Sequence, residues 1–212
     1  MTTIAPGVPE RRVVLTGVSW ATYERLLDDL KDSGSPRLTF DKGVLEVMSP
    51  SPEHEESNRT IALLVEVLAE EFGIDIRSLG STTFRREDLG QGFEPDSCFY
   101  VQNEPRVRGK REIDLAVDPP PDLVVGVDIT SPSLPKLPLY ARVAVPEVWR
   151  YDGERMTVYS LTAGIYETAE VSAVLPGVTT HDLTRFLEES RAQRRTFWLK
   201  GVRAWARSLA GR

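Results

Sequence analysis

Apolar residues recur along this chain with two distinct periods, and each marks a different kind of element. Tyr23, Leu26, Leu27 and Leu30 follow Ser19 at helical spacing and stop at Asp32-Ser33-Gly34-Ser35-Pro36, which predicts a capped first helix. From about Glu53 to Glu71 a longer stripe of Ile61, Leu64, Val65, Leu68 and Phe72 predicts a second helix, closed by Gly73. Alternation takes over elsewhere. RLTFDKGVLEVMS reads as a hairpin turning at Asp41-Lys42-Gly43, GIDIRS and TTFRRE have strand character, and Gly90-Gln91-Gly92 reads as a loop. PDSCFYVQ predicts a strand begun through Pro95, and residues 103–121 a polar, proline-rich excursion. LVVGVDIT is apolar at nearly every position up to Asp128, as expected of a central strand covered on both faces. A proline-opened helix (SPSLPKLPLYARVAVP), strands in EVWRYDG, RMTVYSL and IYETAE, a short helix capped by Thr180 and a last helix over 192–209 complete the chain.

Strands interleaved with long helices predict an α/β (α+β) domain with a mixed central sheet flanked by helices. An N-terminal helix-hairpin precedes this core and a C-terminal helix follows it. The expected division is a leader over 1–11, one domain over 12–190 and a basic amphipathic helix over 191–212.

Composition narrows the function classes. The chain has 212 residues, 41% of them hydrophobic, enough for one sizeable core. A single cysteine, Cys98, forms no intramolecular disulfide, and two histidines, His54 and His181, are too few for a His-rich metal site. No apolar run approaches the roughly 18 residues of a membrane span, and the N-terminus lacks the apolar core of a signal peptide. A cytoplasmic protein without membrane contact is therefore expected. The net charge of −6 is unevenly spread: seven basic and no acidic residues follow position 190, which leaves −13 in the first 189. That basic tail, with its stripe of Trp198, Val202, Trp205 and Leu209, either packs on the domain with a solvated face or meets a nucleic-acid backbone or a second copy.

Candidate chemistry lies in carboxylates near strand ends. Asp96 directly follows Pro95, and Asp128 sits between Val127 and Ile129, where an ionised group is costly unless paired, hydrogen-bonded or metal-bound. Asp96 could equally cap the start of its strand, and Asp128 could face outward on an edge. On adjacent strands about 4.8 Å apart, the two could grip one Mg²⁺ or Mn²⁺. Asp122, six residues before Asp128 on the same strand, lies roughly 20 Å from it at about 3.3 Å per residue and cannot share that ion. Lys136 follows Asp128 by eight residues, close enough to support a phosphate or position water, or to remain an ordinary surface lysine. His54 falls on the apolar stripe of the second helix, as an inward-facing site group or as a core or capping histidine, while Glu55 and Glu56 point away.

Pro95-Asp96, the strand ending at Asp128, Ser131-Pro132-Ser133, Lys136, Tyr140 and the run Val145-Pro146-Glu147-Val148-Trp149-Arg150-Tyr151-Asp152 together resemble the Uma-type family of bacterial restriction endonucleases, formerly a domain of unknown function. The resemblance spans roughly residues 15–190 and implies a restriction-endonuclease-like fold of the PD-(D/E)-x-K superfamily. It implies a catalytic set of Asp96, Asp128 and Lys136, with His54 assisting, Mg²⁺ on Asp96 and Asp128, and no organic cofactor. The reaction implied is hydrolysis of DNA phosphodiesters, and a homodimer is expected because cutting both strands takes two sites. The chain departs from the pattern twice. Thr130 stands where the x-K lysine is expected, and Gly126 stands where relatives carry an acidic residue. These departures keep a second reading open, a catalytically inactive nuclease fold used for nucleic-acid binding or protein assembly. A small-molecule phosphoesterase fits less well, because the chain has no glycine-rich phosphate loop.

Overall fold

The computed structural model describes residues 11–129 and 135–211. In chain order the elements are β1 (Arg11–Thr16), α1 (Trp20–Leu30), β2 (Arg37–Asp41), β3 (Val44–Ser49), α2 (Pro52–Phe72), β4 (Arg77–Ser78), β5 (Phe84–Arg86), β6 (Gln91–Phe93), β7 (Ser97–Tyr100), α3 (Glu104–Val107), β8 (Leu123–Val127), α4 (Lys136–Arg142), β9 (Glu147–Tyr151), β10 (Met156–Thr162), β11 (Ile165–Ala169), α5 (Thr180–Ala192) and α6 (Arg195–Ala210). They build two sheets. The first is antiparallel with order β1-β3-β2-β6-β5, and the second is mixed with order β11-β10-β9-β8-β7-β4.

Local chemistry accounts for the element ends. Ser51 caps α2 by accepting from the His54 backbone N–H at 3.1 Å, Pro52 opens the helix, and Gly73 ends it at φ 66°. Lys42 and Gly43 both have positive φ, the geometry of a two-residue hairpin turn whose twist matches its strands, and the expected β2–β3 hairpin forms around them. Ala163 and Gly164 do the same between β10 and β11.

β8 and β9 are a parallel pair, and α4 lies in the chain between them. Leu123, Val125 and Val127 of β8 join Ile61, Leu64, Val65 and Leu68 of α2 in the main core, with Leu183 and Phe186 of α5 and Trp198, Val202 and Ala206 of α6. Each buried leucine or isoleucine there stabilises the fold by about 1.5–3 kcal/mol. The opposite face of β8 presents Val124 to a second cluster with Cys98, Val148, Tyr140, Phe84 and Phe93, which joins the two sheets. α1 packs on the first sheet, its Tyr23 in one cluster with Leu38 and Phe40 of β2 and Leu45 of β3.

Several expectations change. Residues 11–16, assigned across a leader and the start of the domain, include a strand that pairs with β3 from Arg11↔Ser49 to Thr16↔Val44. Gly90-Gln91-Gly92 is not simply a loop: Gln91–Phe93 form β6, the strand between β2 and β5. The reason is packing. At Gly92 an added Cβ would lie 2.6 Å from Tyr23 ring carbons, so glycine is what lets β6 approach α1. Thr179 rather than Thr180 caps α5, in a reciprocal box with Asp182. In α6, Trp198 and Val202 are buried, while Arg203 and Arg207 bond Glu70 and Glu71 of α2. The remainder of the leader and Ser131-Pro132-Ser133 lie outside the described residues.

Gly92→Ala should therefore lower the unfolding free energy by about 1–3 kcal/mol through overpacking against Tyr23, read as a reduced urea midpoint with unchanged slope. An unchanged midpoint would contradict that packing.

Candidate active site

Strand register assembles the candidate residues. Ser97 pairs with Val125 across β7 and β8, and Gly126 pairs with Arg150 across β8 and β9. Because side chains alternate along a strand, Asp96, Gly126 and Arg150 form one row on the α4 side of the sheet, and Asp128 is one same-face step beyond Gly126. A cavity of about 540 Å³ opens over this row; among the described residues Asp96, Gly126, Asp128 and Arg150 line its floor and Lys136 and Tyr140 of α4 its wall. Asp96, Asp128 and Lys136, predicted separately, thus meet in one place. Asp128 lies just past the end of β8 rather than inside it, and donates its backbone N–H to Tyr151 O at 2.8 Å.

Each carboxylate is held by cations reaching across from the first sheet. Asp96 is 3% exposed. Its Oδ1 accepts from Arg37 of β2 and lies 3.4 Å from His54 Nε2, and its Oδ2 accepts from the Val127 backbone N–H at 2.7 Å. Burial acts to raise the Asp96 pKa. The contact with His54 and the charges of Lys136 and Arg37 outweigh it and hold the carboxyl well below the usual range, so Asp96 stays ionised. Asn58 of α2 fixes the strand start by donating to the Asp96 carbonyl at 3.0 Å and accepting from Ser97 Oγ at 2.8 Å. Asp128 accepts from Arg12 of β1 at 3.2 Å through Oδ1 and from Arg150 Nε at 2.8 Å through Oδ2. Arg12 also reaches Glu46 of β3 at 3.4 Å, and Lys136 Nζ lies 3.9 Å from the same carboxylate. Tyr140 is 2% exposed. Burial, then the charges of Asp96 and Asp128, pushes its phenol far above the ordinary value, so the hydroxyl remains a hydrogen-bond donor.

Other candidates sort themselves by place. His54 is wholly buried at the N-terminal end of α2, facing inward as its position on the stripe predicts, and touches Asp96. Glu55, expected to point away, instead pairs with Arg37 at 3.1 Å. Asp122 accepts from the Val101 and Asn103 backbone N–H groups and from the Asn103 side chain, fixing the turn after β7 as a structural residue. His181 is exposed at the start of α5, and Cys98 is buried, its thiol pushed up to about 12, which leaves it unreactive. Sequence reasoning missed Arg12, Arg37, Glu46 and Arg150. Glu46 carried a readable signal, an acidic residue in VLEVMS at the centre of a strand; it is 1% exposed because β3 lies between β1 and β2.

A hard divalent cation requires oxygen donors, and the two carboxylates lining one cavity provide them, Asp96 in ionised form and Asp128 the more open at 13% side-chain exposure. No group of three or more His, Cys, Asp or Glu gathers in metal-binding geometry among the described residues, so among these residues a resident ion would depend on the two carboxylates. An added Cβ at Gly126 meets nothing within 4 Å, which leaves room beside them.

The sequence profile of the Uma2 family, described as "Putative restriction endonuclease", matches residues 20–194, which includes all of these residues except Arg12. The chain belongs to the Uma2 family. Its fold resembles a crystal structure of a putative nuclease belonging to DUF820 from Anabaena variabilis, with a TM-score of 0.53 and 15% identity over 76% of this chain and 98% of that one. No curated protein matches the chain. In this Uma2 protein no described helix is long and apolar enough to cross a membrane.

The depressed Asp96 pKa implies a testable pH dependence. A carboxyl whose folded pKa lies below its unfolded value of about 3.8 contributes stability that is full above that value and is lost as pH falls through the folded one. Asp96→Asn should lower the unfolding free energy by about 3 kcal/mol or more at pH 7 and equally at pH 5.5, since a buried pair is broken. The gap between the variants should narrow below pH 3.8, as seen by urea unfolding across that range. A gap that instead widens on acidification would show that Asp96 is not held ionised.

Proposed function

We propose that this protein is a metal-dependent DNA endonuclease in which Asp96 and Asp128 bind Mg²⁺, or Mn²⁺ in its place, and Lys136 supports the scissile phosphate. The observation that carries this reading is the convergence of two carboxylates, one of them buried and ionised, with a lysine around one cavity. When bound, the ion supplies Lewis-acid stabilisation and lowers the pKa of water at the site. The protein groups have their own tasks. The Lys136 ammonium and the Arg150 guanidinium face the cavity and stabilise charge that builds on the phosphate oxygens as water adds to phosphorus and the ester P–O bond breaks. Tyr140, held protonated, donates to an anionic oxygen. His54 acts through Asp96 as a positioning residue: wholly buried with Nε2 3.4 Å from Oδ1, it packs against the carboxylate and limits the directions it can take. A homodimer would supply the two centres that cutting both strands needs, and a cytoplasmic setting would expose it to DNA.

One observation favours a second reading, a nuclease fold kept for binding or assembly without catalysis. Both Asp128 oxygens bond arginines, and Gly126 leaves the centre of the row without a side chain.

Supercoiled plasmid incubated with the protein and 5 mM Mn²⁺, on the order of the levels such ions need, should be nicked or cut. Asp96→Ala, Asp128→Ala and Lys136→Ala should each slow this by a factor of about 10² or more. Cleavage that survives Asp96→Ala and Asp128→Ala together would refute the assignment, and no cleavage by wild type would favour the second reading. Gly126→Asp, placed in open space beside the two carboxylates, should tighten Mn²⁺ binding severalfold in a calorimetric titration; weaker binding would argue against a metal at this row.

A further inference from the structure

The cavity above the carboxylates is built for more than a phosphate. Its charged lining is Asp96, Asp128, Arg150 and Lys136, and its apolar lining is Leu137, Pro138 and Ala141 of α4 with Ile165 and Tyr166 of β11. A phosphodiester is small, charged and strongly hydrated, and gains nothing from an aliphatic and aromatic wall. At about 540 Å³ the space falls in the size range of pockets that enclose organic ligands.

Two features make that wall a formed surface. Tyr166 donates its hydroxyl to Val145 O at 2.7 Å, which fixes the ring at the cavity edge. Ile165 follows the tight Ala163-Gly164 turn and is 69% exposed at the cavity rim, a large apolar side chain left in water next to a binding cavity. Asp96, at 3% exposure, shares this cavity with α4 and the start of β11, so the carboxylate and the apolar wall line one space.

Resting on the nuclease reading above, we infer that this cavity is a base pocket: the substrate is a nucleic acid with an unpaired nucleobase beside the scissile phosphate. The base seats against Tyr166, Ile165 and Leu137 while its phosphate meets Lys136 and Arg150. The match is between an amphiphilic ligand, charged at the phosphate and aromatic at the base, and a cavity with the same two ends. Unpaired bases are recognised in this manner, by stacking on aromatic and apolar side chains that accept any base face. The base can come from a single strand or be flipped from a duplex, and both routes leave the same group in the pocket.

The test uses the full chain with Ca²⁺ in place of Mg²⁺ and fluorescein-labelled probes followed by anisotropy: dT12, an abasic 12-mer with the same phosphates, and a matched 12-base-pair duplex carrying 2-aminopurine. The expected result is that dT12 binds at least tenfold more tightly than the abasic oligomer. Ile165→Ser, a change at an exposed position at the start of β11 with folding checked by circular dichroism, should erase most of that difference without altering abasic binding. Rising 2-aminopurine emission on a bound duplex would assign the base to flipping; weak duplex binding without that rise would assign it to single strands. Equal affinity for dT12 and the abasic oligomer, or an unchanged preference in Ile165→Ser, would overturn the base pocket, while metal-dependent cleavage lost in Asp96→Ala would leave the nuclease reading standing. Failure of wild type to bind any of the three probes or to cut plasmid would overturn both.

Discussion

The carboxylate of Asp96 ties the two sheets of this protein together. Asp96 directly precedes β7 of the second sheet, yet one carboxylate oxygen is held by Arg37 from the first sheet and the other by the backbone of β8, while α2 fixes its main chain through Asn58. Burying a charge is expensive, and removing one partner of such a network leaves another uncompensated. The geometry of the candidate site is thereby coupled to the packing of sheet on sheet. Arg12 to Asp128 and Lys136 to Glu46 repeat the pattern, each joining an element of the first sheet to one beside the second.

This explains why the site lies at a seam. Acidic and basic groups enter it in near balance, Asp96, Asp128, Glu46 and Glu55 against Arg12, Arg37, Lys136 and Arg150. The same network separates His54 from Lys136: the first is enclosed beside Asp96, and the second lines the cavity.

Much of this was legible in the sequence, for local reasons. The apolar stripe of α2 put His54 inward, the run Leu123–Val127 marked a doubly covered strand, and an aspartate at the end of such a strand called for partners. Asp96, Asp128 and Lys136 were singled out by their chain neighbours and by the family resemblance together, and all three line one cavity. The cationic half of the site was not legible, because Arg12, Arg37 and Arg150 matter only once two sheets meet. β1 was hidden for the same reason: RRVVLT is mostly exposed and becomes a strand by pairing with β3, not by burying an alternating face. Gln91–Phe93 looked like a loop because its glycines suggested a turn, whereas Gly92 serves close approach to Tyr23.

The central claim is that Asp96 and Asp128, brought together by this cross-sheet network, form one metal-binding centre. Calorimetric titration of Mn²⁺ into wild type, Asp96→Ala, Asp128→Ala and the double variant tests it most directly, with folding checked by circular dichroism. The account predicts one site per chain in wild type, strongly weakened in each single variant, with the double variant no worse than the weaker single one. Binding in wild type that persists unchanged in the double variant, or no binding in wild type at millimolar ion, would contradict it.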